Sequence, residues 1–208
     1  TTNEYDMASH LISVTNPATG AGKIDYLYDH HRLVGKTMPE TNDLYGVQYT
    51  YGTPTGGNNQ VGRVKTIVQG TNFKTEHFDY DEMGNVVGEN KIINVPQAGV
   101  RSYLTEFTYD SWGRILQMVY PDLEEVDYQY TGTGELTGIT SQRPGSTLQS
   151  IIDLITYDGH GNIDYMRYGN QTETEFDYDN ETRDITDVTQ QVIDQTNNNT
   201  VLGFTQDF

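Results

Sequence analysis

Pairs of large apolar residues, one position apart, recur along this chain, and each pair ends the same way. They are Tyr26-x-Tyr28, Tyr49-x-Tyr51, Phe78-x-Tyr80, Phe107-x-Tyr109, Tyr128-x-Tyr130, Ile155-x-Tyr157 and Phe176-x-Tyr178. The residue between the two is mostly polar, as at Asp79, Thr108, Gln129, Thr156 and Asp177. Side chains at i and i+2 of a strand share a face, and the residue between them points the other way. The alternation therefore predicts half-buried strands that set two rings side by side. Six positions after the tyrosine an aliphatic residue returns at Leu11, Val86, Ile115, Leu136 and Ile163, with the gap changed by one at Leu33 and Ile185. Asp-x-x-Gly-Asn/Arg fills the interval at 81–85, 110–114 and 158–162. Asp accepts N–H groups two or three residues on, and Gly supplies the positive φ that closes a type I turn with a bulge. Tyrosine thus ends one strand, Asp to Gly reverses the chain, and the aliphatic residue opens the next strand. No segment has helical periodicity.

The dipeptide Tyr-Asp occurs at 5–6, 28–29, 80–81, 109–110, 157–158 and 178–179, while Tyr51-Gly52 and Tyr130-Thr131 hold the same place with the Asp replaced. Successive tyrosines lie 23, 23, 29, 29, 21, 27 and 21 residues apart, so the unit is a hairpin of variable length and not a fixed-period solenoid. The fold class expected is all-β: tandem antiparallel hairpins forming a continuous curved or spiralling sheet. Residues 1–186 form the array, with about eight units, and 187–208, rich in Asn, Gln and Thr, form a ragged last hairpin turning at 197–199 or a tail. Residues 52–62 read as a long polar loop, 94–101 as the distal turn of a long hairpin, and Pro144-Gly145 as another turn.

Composition narrows the function. Twelve Lys+Arg against 30 Asp+Glu give a net charge of −18, which argues against a nucleic-acid or anionic-lipid binder. No run is long and apolar enough to span a membrane or to read as a signal peptide. With no cysteine, disulfides and thiolate chemistry are excluded. Only 34% of residues are apolar but Tyr numbers 16 and Gly 21, which suits thin aromatic-bearing sheets over a thick aliphatic core.

Candidate chemistry is sparse. Asp79-x-Asp81 and Asp177-x-Asp179 resemble the start of a calcium loop, but Met83 and Asn90 occupy two ligand positions of the first and the second lacks the glycine. The turn histidines His10, His30, His31 and His160 belong to different repeats, and no nucleophile elbow, P-loop or H-E-x-x-H motif occurs. No catalytic, cofactor or metal residues are therefore expected. The residues expected to matter are structural: Tyr28, Asp29, Phe78, Tyr80, Asp81, Gly84, Phe107, Tyr109, Asp110, Gly113, Tyr128, Tyr130, Tyr157, Asp158, Gly161, Phe176, Tyr178 and Asp179. Trp112 stands apart, a large ring at a turn position that does not require one.

Tyr80-Asp81-x-x-Gly84-Asn85-Val86, and Tyr109-Asp110-x-x-Gly113-Arg114-Ile115 followed by Tyr120-Pro121-Asp122, resemble the YD repeats of Rhs proteins. The same repeats occur in the B and C subunits of insecticidal toxin complexes and in teneurins. The resemblance spans roughly residues 5–186. It implies a β-sheet that spirals into a hollow shell, which in bacterial members encloses a toxin at the C-terminal end of the chain. The implied partners are the rest of the same polypeptide and its toxin cargo, and the implied location is secreted or at the bacterial cell surface. The alternative is a cell-surface adhesion or carbohydrate-binding module whose exposed rings stack on glycans. No Asp-Pro-x-Gly-Leu segment is present, so autoproteolytic or toxic activity is expected beyond Phe208.

Overall fold

The computed structural model describes residues 1–16, 22–38, 46–70, 72–194 and 199–207. The described residues contain strands and turns and no helix. They fall into two compact units, Thr1–Phe107 and Thr108–Phe208. The first holds β1 (Thr2–Tyr5), β2 (Leu11–Thr15), β3 (Lys23–Asp29), β4 (Arg32–Thr37), β5 (Val47–Tyr51), β6 (Val64–Gln69), β7 (Phe73–Tyr80), β8 (Val86–Val95) and most of β9 (Gly99–Tyr109). Each strand pairs antiparallel with the next in sequence. The second holds β10 (Ile115–Val119), β11 (Glu125–Tyr130), β12 (Leu136–Gln142), β13 (Gln149–Tyr157), β14 (Ile163–Tyr168), β15 (Thr172–Tyr178), β16 (Ile185–Asp194) and β17 (Asn199–Asp207). These strands also form an antiparallel meander. The tandem-hairpin, all-β architecture expected from the alternation is the one found. The Asn/Gln/Thr-rich end pairs as the β16–β17 hairpin from Asp187↔Asp207 to Asp194↔Asn199. Most of its turn, including 197–198, lies outside the described residues.

The turns follow their local chemistry. Within 81–85, Gly84 N–H donates to Asp81 O (3.1 Å) and Asp81 N–H to Asn85 O (3.0 Å), and Gly84 has φ +99°. This is the three-residue hairpin loop with a left-handed glycine before the strand resumes. The same bonds close 110–114 and 158–162, with φ of +77° at Gly113 and +88° at Gly161. The opposite hairpin ends use other solutions: Tyr120-Pro121-Asp122 leads into Leu123 at φ +66°, where Leu123 N–H donates to Tyr120 O (2.8 Å). Valine at Gly113 is expected to cost at least about 1–2 kcal/mol, because a β-branched residue is strained in the left-handed region. A thermal melt of Gly113→Val matching the parent would contradict that.

A second irregularity recurs one step inside seven of the turns that follow a repeat tyrosine. Glu4 faces Ser13 but Tyr5 faces Leu11, so Ile12 has no partner opposite it. The same slip leaves out Val34, Lys65, Val87, Thr137, Asp164 and Thr186. Each is the residue after the aliphatic one, and each slip is a β-bulge that disrupts the ladder locally and adds twist. The core is correspondingly thin. Among the described residues, Tyr80, Val126 and Ile155 are the buried hydrophobics, while most paired rings are half-buried.

Candidate functional site

The bulges create the feature that organises the chain. A carbonyl beside a disrupted ladder needs another donor, and the tyrosine of the next hairpin supplies it. Tyr28 Oη donates to Leu11 O (3.2 Å), Tyr51 to Leu33 O (2.7 Å), and Tyr80 to Val64 O. In the second unit Tyr130 donates to Ile115 O (3.0 Å), Tyr157 to Leu136 O (2.9 Å) and Tyr178 to Ile163 O (2.9 Å). The residue just before that carbonyl lies against the same ring. Arg32 sits 5.5 Å from the centre of the Tyr51 ring, Arg63 5.4 Å from Tyr80 and Arg114 4.3 Å from Tyr130. His10 stacks on Tyr28 with ring centres 4.8 Å apart. Tyr28, Tyr51, Tyr80 and Tyr130 are thus each held by two consecutive residues of the preceding hairpin, one by side chain and one by backbone. The cation–π part is worth about 0.5–2 kcal/mol depending on exposure. Glu135 holds the equivalent place before Leu136, where its charge adds to burial in raising the pKa of Tyr157.

The aspartates serve the turns. Asp81 Oδ1 accepts from the N–H groups of Gly84 (2.7 Å) and Asn85 (2.8 Å), and its Oδ2 accepts from Asn85 Nδ2 (2.8 Å). Asp158 is bound the same way by His160 and Asn162. Asp110 is held by Trp112 N–H, Arg114 N–H and the Arg114 guanidinium. Asp179 accepts from Glu181 and Thr182 N–H in a turn longer by one residue. Thr131 replaces Asp by exchanging roles: its Oγ1 accepts from Gly134 and Glu135 N–H, and it donates to the Glu135 carboxylate. Asp29 departs from the pattern. Its turn is too short to cap; Asp29 pairs with Arg32 in the ladder and its exposed carboxylate meets His30 Nδ1 at 2.8 Å.

These bonds hold the turn carboxylates below their ordinary range. The Asn162 amide and N–H keep Asp158 at about 2, and Asn85 lowers Asp81 likewise. In Asp179 the Thr182 and Glu181 N–H groups do the same. Burial pushes the tyrosines upward at Tyr80, Tyr128, Tyr157 and Tyr178, and takes Tyr165 to about 12. A carboxylate with a depressed folded pKa stabilises above its unfolded value of about 4 and loses that contribution as pH falls towards the folded one. A tyrosine with a raised pKa stabilises below about 10 and loses it as pH rises through the folded value. The melting temperature is therefore expected to fall between about pH 4 and 2 and again above about pH 10. Asp158→Asn should lower it at neutral pH and shallow the acid limb; an unchanged acid limb would count against the turn bonds.

The remaining sequence-selected residues lie where the strands place them. Tyr109, Phe107, Tyr128 and Phe176 are half-buried, with Tyr128 opposite Ile139 and Phe176 opposite Val188. Phe78 lies on β7, and its side chain is outside the described set. Trp112 is 64% exposed, with the Arg114 guanidinium 4.7 Å from its ring centre. Among the described residues no three His, Asp or Glu side chains converge in a way that could hold a metal ion. No helix of the described residues is long and apolar enough to cross a membrane.

No protein-family model matches the chain, and no curated protein does. Solved structures do. The crystal structure of TcdB2-TccC3-Cdc42 matches 97% of this chain with a TM-score of 0.65 at 17% identity. TcdB2-TccC3-TEV matches 97% at 0.67 and 17%. The Photorhabdus luminescens Tc holotoxin pore carrying TccC3-D651A matches 97% at 0.65 and 16%. This chain has the fold of a segment of the Tc toxin chains. That fold fits the YD-repeat family whose motif the sequence resembles. The chain spans only 11–13% of the length of those Tc toxin chains.

Proposed function

We propose that the chain is a non-catalytic wall segment of a YD-repeat shell, which encloses a toxin or effector domain carried C-terminal to the repeats in the same secreted or surface-borne bacterial polypeptide. The observation that carries this reading is where the recurrent polar chemistry goes. The repeat tyrosine hydroxyls reach the preceding hairpin's carbonyl, and the repeat aspartates close turns. Such a pattern suits extension, because at six junctions a hairpin presents the carbonyl that the next one needs. The likeness to Tc toxin chains over 97% of its length supports the same reading. A wall of this kind acts sterically, by confining a polypeptide without reading its sequence.

The test is limited proteolysis of the full-length polypeptide. The segment C-terminal to the repeats should resist protease in the parent and become susceptible when the array is weakened by Tyr157→Ala. A C-terminal segment equally accessible in both would overturn the proposal. Trp112 favours a second reading, as a large exposed ring beside a guanidinium suits stacking on a sugar. Selective glycan capture that disappears in Trp112→Ala would establish that reading.

A further inference from the structure

His10 occupies the place that arginine holds at other junctions. It precedes Leu11 as Arg32 precedes Leu33, Arg63 precedes Val64 and Arg114 precedes Ile115. Its ring stacks on Tyr28 at an interplanar angle of 18°, as the guanidiniums lie over Tyr51, Tyr80 and Tyr130. An arginine stays charged at any physiological pH, whereas an imidazole does not. Both ring nitrogens of His10 are engaged: Nδ1 meets Asp6 Oδ2 at 2.8 Å, and Nε2 meets His31 Nδ1 at 2.9 Å. The side chain is only 17% exposed. We propose that the junction of the first two hairpins is a two-proton latch, in which the first proton on the His10–His31 pair tightens the clamp on Tyr28 and the second releases the turn that carries His31.

Proton accounting gives the order of events. The Asp6 carboxylate only accepts, so His10 Nδ1 carries a hydrogen. In the neutral pair His10 Nε2 accepts from His31 Nδ1–H. One added proton enters at His31 Nε2 while the shared hydrogen passes from His31 Nδ1 to His10 Nε2. His31 then accepts at Nδ1, so the bond survives with its direction reversed. The His10 imidazolium now lies between the Asp6 carboxylate and the Tyr28 ring, which is the electrostatic equivalent of the arginine clamps. A second proton leaves two N–H groups facing each other at a contact of 2.9 Å with no acceptor between them, and they must part.

The surrounding charges fit this sequence. Asp6 meets His10 Nδ1 from the β1–β2 turn, where its other oxygen accepts from Ala8 and His10 N–H. On β1, Glu4 is engaged with Ser13 at 2.7 Å. On the β3–β4 side, Asp29 is paired with His30, and the Arg32 guanidinium lies over Tyr51. An open depression of about 430 Å³ is lined by Asp29, His30, His31 and Arg32, the residues of that turn.

The test is histidine-resolved NMR on the chain from about pH 8 to about 4.5, with amide exchange at His10, Leu11 and Tyr28 followed in parallel. His160, in a turn of the second unit, serves as the reference. The ring resonances of His10 and His31 should change together, in two stages shared by the pair. Amide protection should hold through the first step and fall at the second. His31→Gln should reduce His10 to a single step, and His10→Arg should make Tyr28 protection independent of pH. Two single-step curves, each indifferent to substitution of the other residue, would overturn the latch. If His10→Arg fails to fold its hairpin, the comparison of parent with His31→Gln decides alone.

Discussion

Replacing Tyr80 by alanine is expected to destabilise the chain by about 3–5 kcal/mol, the usual cost of deleting a buried aromatic ring. Among the described residues, Tyr80 is the most buried of the repeat rings, at 8% exposure. The substitution removes the packed ring, the donor to Val64 O and the face under Arg63 together. Tyr80→Phe separates these contributions. It keeps the ring and the guanidinium contact but leaves the Val64 carbonyl without its hydroxyl donor, for about 1 kcal/mol. Tyr103, 42% exposed on β9, provides the control, and Tyr103→Ala should change stability by about 0.5 kcal/mol or less. Urea unfolding of the three variants checks the order. Should Tyr80→Ala unfold at the same midpoint as Tyr103→Ala, the Tyr80 ring does not tie its hairpin to the preceding one.

What the sequence made legible was whatever is decided within a few residues. The alternation ending at Tyr109 or Tyr178 is a two-residue rule, and the Asp81 turn is set by bonds to residues 84 and 85, so spacing alone exposes both. The bulges were not legible. Ile12, Val34, Lys65, Thr137 and Asp164 share no chemistry, because a bulge is a slip of backbone register that leaves no mark on side-chain type. The ring clamps were half-legible. His10, Arg32, Arg63 and Arg114 form a column immediately before the aliphatic residue, but their partner is the tyrosine of the following hairpin. Read within one turn, Arg114 is only the partner of Asp110, which it also is. Asp29 shows the opposite failure. The Tyr-Asp dipeptide is intact there, but a turn shortened by one residue moves Asp29 into the ladder and out of the capping position.

Placing the repeat dipeptide at the Tyr51-Gly52 junction should also harm the fold. Gly52→Asp recreates Tyr-Asp after Tyr51, and the expected result is a loss at or above the upper end of the roughly 1–3 kcal/mol that overpacking costs. A Cβ on residue 52 would lie 2.1 Å from Gln60 O and 2.5 Å from its carbonyl carbon, and both are backbone. The loop cannot easily yield, because Gly52 N–H donates to Arg63 O (2.9 Å) and Gly62 N–H to Gly52 O (3.0 Å). The loop also serves the next hairpin. Tyr80 N–H donates to Asn58 O (3.1 Å) and Asn59 Nδ2 donates to Tyr80 O (3.0 Å). Lifting it would pull Arg63 and Val64 away from the Tyr80 ring, so the damage should spread one hairpin downstream. Gly52→Ala should be nearly as harmful, since the clash begins at Cβ and not at the carboxylate. Gly57→Ala, in the same loop with open space around it, should change stability by about 0.5 kcal/mol or less. Melts of these three variants, with amide exchange at Tyr80, test both the size and the spread of the effect. A stable Gly52→Asp protein would mean that the loop packs differently. A destabilised one would show that this long-looped unit is a second way of building the same junction, with a folded-back loop doing the work of the aspartate.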